Sequence, residues 1–270
     1  MPLKLGFISY SNSYPFLLEI QRHPVAGVQV EAHIPSELNR LLHIGELDLS
    51  AVSAFEYLKH ESDYYLLPDW CINSKGFVKS VLLFSKCPLP ELHGKTVMLT
   101  QHSATSAHLL RIILHHHHID IQQWLPHQLG HEQQCEALLL IGDPALRFNN
   151  PAFPFVMDLA EEWQKITQLP IVFAVSAIRR ERLAGQEHKV LEILELLKRV
   201  TLRIKQQGLG DDLAIMSKAF PDLACNFDEY FKCLDFEFSE TCLSGLRLYA
   251  DKLLKMQMLA PSTSLTFAPL

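Results

Sequence analysis

Apolar residues along this chain fall into two alternating patterns. Short, nearly continuous apolar runs have the length of buried strands, and between them apolar positions recur at helical spacing. The first run, Leu3-Lys4-Leu5-Gly6-Phe7-Ile8, leads straight into the polar turn Tyr10-Ser11-Asn12-Ser13-Tyr14-Pro15. A second strand is predicted at Val28-Gln29-Val30-Glu31-Ala32-His33. A helix follows, with Ser36 as its expected N-cap, Leu38, Leu41 and Leu42 as its apolar stripe, and Gly45 as its stop. The run Leu47-Asp48-Leu49-Ser50-Ala51-Val52 reads as a buried strand leading to Ser53. Ser53 and Glu56 then make a capping-box pattern for a short helix through Tyr57 and Leu58. Another strand, Ser80-Val81-Leu82-Leu83-Phe84-Ser85, precedes the proline-bracketed Cys87-Pro88-Leu89-Pro90, where the chain is expected to leave its first lobe.

A second set of elements comes next. It comprises a strand from Thr96 to Thr100, a helix from about Ala104 to His117, a strand from Ala137 to Ile141 and a helix from Leu159 to Thr167. Asp158 and Glu161 start that last helix and Pro170 lies just beyond it. The strand Ile171-Val172-Phe173-Ala174-Val175 is expected to return the chain to the first lobe, after which Val190 to Gln207 and Cys242 to Met258 are helical. This alternation predicts an α/β chain with mostly parallel sheets covered by helices. Residues 1–85 and 176–270 would form a discontinuous first lobe and 86–175 the second, with the cleft between them as the natural ligand site.

Composition narrows the function classes. With 270 residues, 48% hydrophobic and 20% charged, this is an ordinary globular chain large enough for two modest domains. A net charge of −6 argues against a nucleic-acid partner, and any bound anion must be held by local donors. No apolar segment approaches the roughly 20 residues of a membrane span, so no membrane role is expected. The start, Met1-Pro2-Leu3-Lys4, shows no leader pattern, and the cysteines Cys71, Cys87, Cys135, Cys225, Cys233 and Cys242 form no C-x-x-C pair. Reduced thiols and a cytoplasmic location are the expectation. His115 to His118 point around a helix and cannot converge on one metal, so they are read as a solvated helix end. Trp163, with Leu159 and Ile166, has core spacing. Neither a metal nor a cofactor is expected.

A polar turn behind a strand sits at the carboxyl edge of its sheet, where open α/β folds bind ligands. Residue types alone leave the roles open. Asn12 is also a common turn residue, Ser80 at a strand start is also structural, and Ser53 and Ser103 are also ordinary N-caps. Asp143 is read as fixing a strand-end turn or a cap.

The motifs add a resemblance. Tyr10-x-Asn12-Ser13-x-Pro15 resembles the Y-x-N-T-x-P turn of the chorismate dehydratases of the futalosine route to menaquinone. The match continues through Pro35-Ser36-Glu37-Leu38-Asn39, Gly45-Glu46-Leu47-Asp48-Leu49-Ser50, Ser53-x-x-Glu56-Tyr57 and Leu67-Pro68-Asp69. It extends through Ser80-Val81-Leu82-Leu83, Leu99-Thr100-x-x-Ser103-x-Thr105-Ser106 and Leu140-Ile141-Gly142-Asp143-x-Ala145-Leu146. Asp158-Leu159 to Trp163 and Leu169-Pro170 to Phe173-Ala174-Val175 complete it, over roughly the first two-thirds of the chain. The resemblance implies a two-lobed type II periplasmic-binding-protein-like fold with a central ligand cleft. It also implies conversion of chorismate to 3-[(1-carboxyvinyl)oxy]benzoate with loss of water. Position by position, Asn12 would be the catalytic asparagine and Ser80 the serine that works with it. Tyr10 and Ser13 of the same turn are candidate substrate contacts. Three positions depart from the family pattern. Ser13 replaces a threonine, Gln168 replaces the glycine of T-G-L-P, and Ser176 stands where a tryptophan often follows F-A-V. The last change is expected to remove an aromatic wall near the hinge.

The implied chemistry suits these residue types. Chorismate is a dicarboxylate one dehydration from aromaticity, so neither a redox cofactor nor an activated nucleophile is needed. Rigid neutral donors would steer the leaving groups and stabilise spreading charge. Ser103, Thr105 and Ser106 at one helix start and Ser53 at another would hold the dianion from both lobes and favour closure. No His or Glu matches at the turn, which makes a carboxylate of the substrate the attractive proton acceptor. Two other functions share the fold. One is a non-catalytic solute-binding protein; the other is 1,4-dihydroxy-6-naphthoate synthase, whose turn carries cysteine and aspartate where this chain has Ser11-Asn12-Ser13. The oligomeric state is left open.

Overall fold

In the computed structural model, which describes residues 2–223, 225–260 and 265–270, the strands are β1 (Leu3–Ile8), β2 (Val28–His33), β3 (Leu49–Ser53), β4 (Tyr64–Ser74), β5 (Val81–Ser85), β6 (Thr96–Leu99), β7 (Gln123–Pro126), β8 (Ala137–Ile141), β9 (Phe155–Asp158), β10 (Ile171–Arg179) and β11 (Asp235–Glu237). One sheet has the order β11-β4-β10-β3-β1-β2 and a second the order β7-β6-β8-β5-β9. Helices that bear on the site are α1 (Tyr14–Arg22), α2 (Pro35–His43), α3 (Ala54–Lys59), α4 (Ala104–His116), α5 (Gly142–Arg147) and α6 (Leu159–Thr167).

Both sheets are mixed, where mostly parallel ones were expected. β1 runs parallel to β2 and β3, and β6 parallel to β7 and β8. The antiparallel partners come from the crossings. β5, expected in the first lobe, pairs with β8 and β9 in the second sheet. β10 returns the chain and lies antiparallel between β3 and β4. By strand membership the chain changes sheets between β4 and β5 and again between β9 and β10.

The long strand β4 escapes the apolar pattern because Pro68-Asp69 interrupts it. Its pairing with β10 jumps from Leu66 to Cys71, and Asp69 has φ 68°. An irregularity there tolerates a residue with no N–H to give to the ladder. Three aromatic rings pack beneath the first sheet: Phe7 lies 5.3 Å and Phe16 5.5 Å from Trp70, centroid to centroid. Trp163 is buried in the core as its spacing suggests, its indole N–H donating to the Pro170 carbonyl.

Helix starts follow the predicted chemistry with one correction. Ser53 caps α3 by accepting from the Glu56 N–H, and Asp158 caps α6 by accepting from Ala160 and Glu161. Ser36 is not a cap. Its helix begins one residue earlier, at Pro35, with Ile34 in the N-cap position. Proline suits the first helical turn, where its missing N–H has no partner to lose. His115 to His118 are exposed at the end of α4, and His117 is paired with Glu162 at 2.8 Å. Among the described residues no helix is long and apolar enough to cross a membrane, and all six cysteines are free thiols.

Gln168 ends α6 in the left-handed conformation, φ 62° and ψ 11°. A side chain there costs about 1–2 kcal/mol, whereas glycine loses about 0.5–1 kcal/mol of chain entropy on ordering. Gln168→Gly is therefore expected to raise stability by roughly 0.5–1 kcal/mol in denaturant or thermal unfolding. An unchanged or lower midpoint would show that the Gln168 side chain compensates the strain.

Candidate active site between the two sheets

The carboxyl ends of β1 and β3 in one sheet face those of β6 and β8 in the other. Polar residues at these strand ends, with Ser80 just before β5, meet at a small cavity, which Tyr10, Asn12, Ser53, Ser80, Ser103 and Ser106 line. Its apolar wall includes Ile8, Ile72, Val78, Phe173 and Leu234. No charged side chain is among its described lining residues. The free volume is about 50 Å³. That is room for a few waters but well below the roughly 300 Å³ of an ordinary ligand pocket, so the sheets stand closed on each other. A larger hollow of about 620 Å³ between Thr201 and Phe236 is lined by none of these six polar residues.

The hydrogen bonds around the cavity determine what its hydroxyls can offer. A serine oxygen has two lone pairs and one proton. Ser53 Oγ accepts from the Glu56 N–H at 3.2 Å and from Asn39 Nδ2 at 3.0 Å. Asn39 Oδ1 in turn accepts the Ser53 N–H, so the serine is gripped on both sides. Ser103 Oγ accepts from the Ser106 N–H and from the Ser106 hydroxyl, both at 3.2 Å. With both lone pairs engaged, each serine has its own proton left to give. One such donor comes from each lobe. Ser80 Oγ accepts from the buried Tyr230 hydroxyl at 2.8 Å and makes only a long contact of 3.4 Å with the Val78 carbonyl. Burial pushes the Tyr230 phenol up, so it stays a neutral donor.

The turn after β1 is anchored to the second lobe at two successive residues, Tyr10 and Ser11, and Ser13 braces Asn12 within it. Tyr10 Oη lies 2.7 Å from His102 Nδ1. Burial, and then the nearby Asp143 carboxylate, raise the Tyr10 phenol, while burial lowers the His102 imidazole. Both groups are therefore uncharged at neutral pH. Ser11 donates its N–H and its hydroxyl to Asp143. Ser13 Oγ donates to Asn12 Oδ1 at 3.1 Å. That bond takes one of the two lone pairs of the Asn12 amide oxygen, and the Asn12 NH₂ has no hydrogen-bond partner among the described residues.

Two expected contacts lie elsewhere. Ser13 is fully buried and does not line the cavity; its hydroxyl orients Asn12 instead. Thr105 also does not line it. Its hydroxyl accepts the Phe55 N–H at the start of α3, and its carbonyl accepts the Tyr249 hydroxyl. The reason is local: a buried N–H on the first turn of α3 needs an acceptor, and Thr105 supplies it. With only six residues, α3 also has little dipole, so any pull of Ser53 on an anion rests on its hydroxyl. Ser176 is buried in the first sheet opposite Ala51, and Phe173 and Ala174 form the cavity wall there. Ser176 itself adds nothing to the cavity lining. Asn39, His102, Asp143 and Tyr230 were not singled out as site residues from sequence. Asn39 and Asp143 lie inside motif blocks, whereas Tyr230 sits in the C-terminal third, where nothing flags it.

Comparisons with known proteins bear on the family and the fold. Chorismate dehydratase from Thermus thermophilus is 37% identical over 198 residues, covering 67% of this chain and 71% of that protein. Among solved structures, the periplasmic aliphatic sulphonate binding protein SsuA from Escherichia coli superposes with a TM-score of 0.66 at 15% identity, covering 98% of this chain and 95% of its own. A protein from Archaeoglobus fulgidus superposes with a TM-score of 0.71 at 13% identity, covering 96% of this chain and 98% of its own. At such identities these structures establish the fold, which is that of the periplasmic binding proteins. A family model described as menaquinone biosynthesis matches residues 3–255. The chain belongs to this menaquinone-biosynthesis family.

Proposed function

We propose that the protein is a chorismate dehydratase, converting chorismate to 3-[(1-carboxyvinyl)oxy]benzoate and water in menaquinone biosynthesis by the futalosine route. The observation that carries this reading is the convergence of neutral donors from both lobes on a cavity lined by no charged described residue. The 37% identity to a chorismate dehydratase supports it.

The reaction removes a proton from the ring carbon that bears the enol ether and a hydroxyl from its neighbour. Two ring double bonds become three, and aromatisation drives the step. The protein has to orient the two leaving groups and hold the dianion still. The Ser53 and Ser103 hydroxyls bind substrate carboxylate from opposite lobes, aided by the N-terminal N–H groups of the 13-residue α4. The Asn12 NH₂ hydrogen-bonds the departing hydroxyl, and Ser80, steadied by Tyr230, orients the same region. Tyr10 contributes a neutral phenol to the wall and no base. Asp143 is engaged by Ser11 and does not line the cavity. The proton acceptor is then the substrate's own enol-ether carboxylate, adjacent to the proton that leaves. The lobes part to admit chorismate and close over it. A cytoplasmic working place goes with this biosynthetic role.

Incubating the purified protein with chorismate and following the aromatic enol ether by chromatography tests the activity. Product formation is expected; tight binding with chorismate left intact would make the protein a solute receptor. Asn12→Ala is expected to lower kcat by about 100-fold or more with little change in KM, as for loss of a donor made good only in the transition state. Comparable losses in binding and turnover would assign Asn12 to affinity alone. Ser53→Ala or Ser103→Ala should raise KM by roughly tenfold, the effect of one hydrogen bond to a charged group. An unchanged KM in both variants would remove these serines from the carboxylate site.

A further inference from the structure

Asn12 is preceded by two residues that reach across to the opposite lobe. Tyr10 meets His102, in the turn before α4, and Ser11 meets Asp143, on α5 directly after β8. The Ser11 contact is the more closely built. Its hydroxyl donates to Asp143 Oδ1 at 2.6 Å, and its N–H lies 3.1 and 3.3 Å from the two carboxylate oxygens. Asp143 is 5% exposed and Ser11 wholly buried. Neither lines the cavity, so the pair sits behind the reacting space.

A buried carboxylate is costly unless hydrogen bonds replace its water. Among the hydrogen bonds of the described residues, those that reach Asp143 come from Ser11 alone. Burial raises its carboxyl, the Ser11 donors pull it back, and Arg147 exerts a weaker pull in the same direction. Gly142 makes the close approach possible. It adopts φ +58°, and a Cβ there would stand 2.5 Å from the Tyr10 ring. The Gly142 N–H also donates to the Ser80 carbonyl at 2.7 Å, so one short segment touches Ser80 itself and the two residues that precede Asn12.

We propose that Asp143 is a positioning residue for the dehydration: by gripping Ser11 from the opposite lobe it sets the pose of the Asn12 amide in the closed cleft. The proposal rests on the chorismate dehydratase reading for its kinetic consequence, though the placement of Asn12 can be tested without it. Asp143 touches no substrate atom and transfers no proton. Its effect passes through the backbone of residues 11 and 12, where a shift of about 1 Å costs on the order of 100-fold in rate.

Five proteins test the proposal: wild type, Asn12→Ala, Asp143→Ala, Asp143→Asn and Asn12→Ala/Asp143→Ala. Asp143→Ala should lower kcat by about tenfold or more, with affinity for the aromatic product, measured by calorimetry, changed less than about threefold. Asp143→Asn, which keeps one acceptor for Ser11, should recover part of the rate and guards against a misfolded alanine variant. In the Asn12→Ala background, Asp143→Ala should cost nothing further, because the residue it positions is gone. Losses that add, or a wild-type kcat in Asp143→Ala, overturn the proposal. A readout independent of turnover is the side-chain amide signal of Asn12 in ¹⁵N-labelled protein, assigned by its loss in Asn12→Ala. It should shift or broaden in Asp143→Ala and Asp143→Asn; an unmoved signal in both overturns the positioning role even if chorismate proves not to be the substrate. Wild-type protein that leaves chorismate intact while the Asn12 signal responds would instead refute the activity and leave the Asp143 grip standing.

Discussion

A hydroxyl whose two lone pairs are taken by donors has one direction left for its proton, and the cleft of this protein is built on that constraint. Ser53 and Ser103 cap the first turns of α3 and α4, and each accepts a second hydrogen bond from a side chain. The contacts that start the helices therefore also decide what the cavity presents. Because the two caps stand at the strand ends of different sheets, closing the lobes brings two such donors to one small space.

The same constraint explains how a chain of net charge −6 could hold the dianion of the proposed reaction. Burying a lysine or arginine in so dry a cavity would carry a large desolvation cost, and removing its partner on product release would leave it unpaired. Neutral donors avoid both penalties and keep their direction without a counter-charge. The buried carboxylate of Asp143 does not line the cavity and is engaged by Ser11. In this way electrostatic order around the reacting space comes from dipoles in fixed places rather than from net charge.

Mixed strand direction is what makes two closing halves out of one chain. β5 enters the second sheet antiparallel to β8, and β10 re-enters the first between β3 and β4, so both crossings are continuous with paired strands. Asp158 strengthens one crossing by accepting the Val78 and Lys79 N–H groups while it caps α6. The fold is shared with sulphonate-binding proteins, so function here rests on the side chains in the turns and not on the fold.

Much of this was written in local pattern. β1, β2, β8 and α6 were legible because their apolar spacing, caps and breakers agree with one another within a few residues. The turn at Asn12 and the serines at positions 53, 80 and 103 were legible as motifs, since each lies at the end or start of a strand or opens a helix. Other features depended on residues far apart in the chain. β4 was hidden by Pro68-Asp69, which only its pairing with β10 makes tolerable. The short edge strand β9 buries too little to leave a periodic signal. Thr105, Asn39, Tyr230 and Asp143 owe their roles to partners 50, 14, 150 and 132 positions away. Fold class, family and the donors available at the strand ends were already present in the order of residues, because propensity, capping and motif are short-range. Which hydroxyl faces the cleft, and which is consumed in holding the lobes together, was fixed only when the two sheets met, because a hydrogen bond is directional and its partner must be in place.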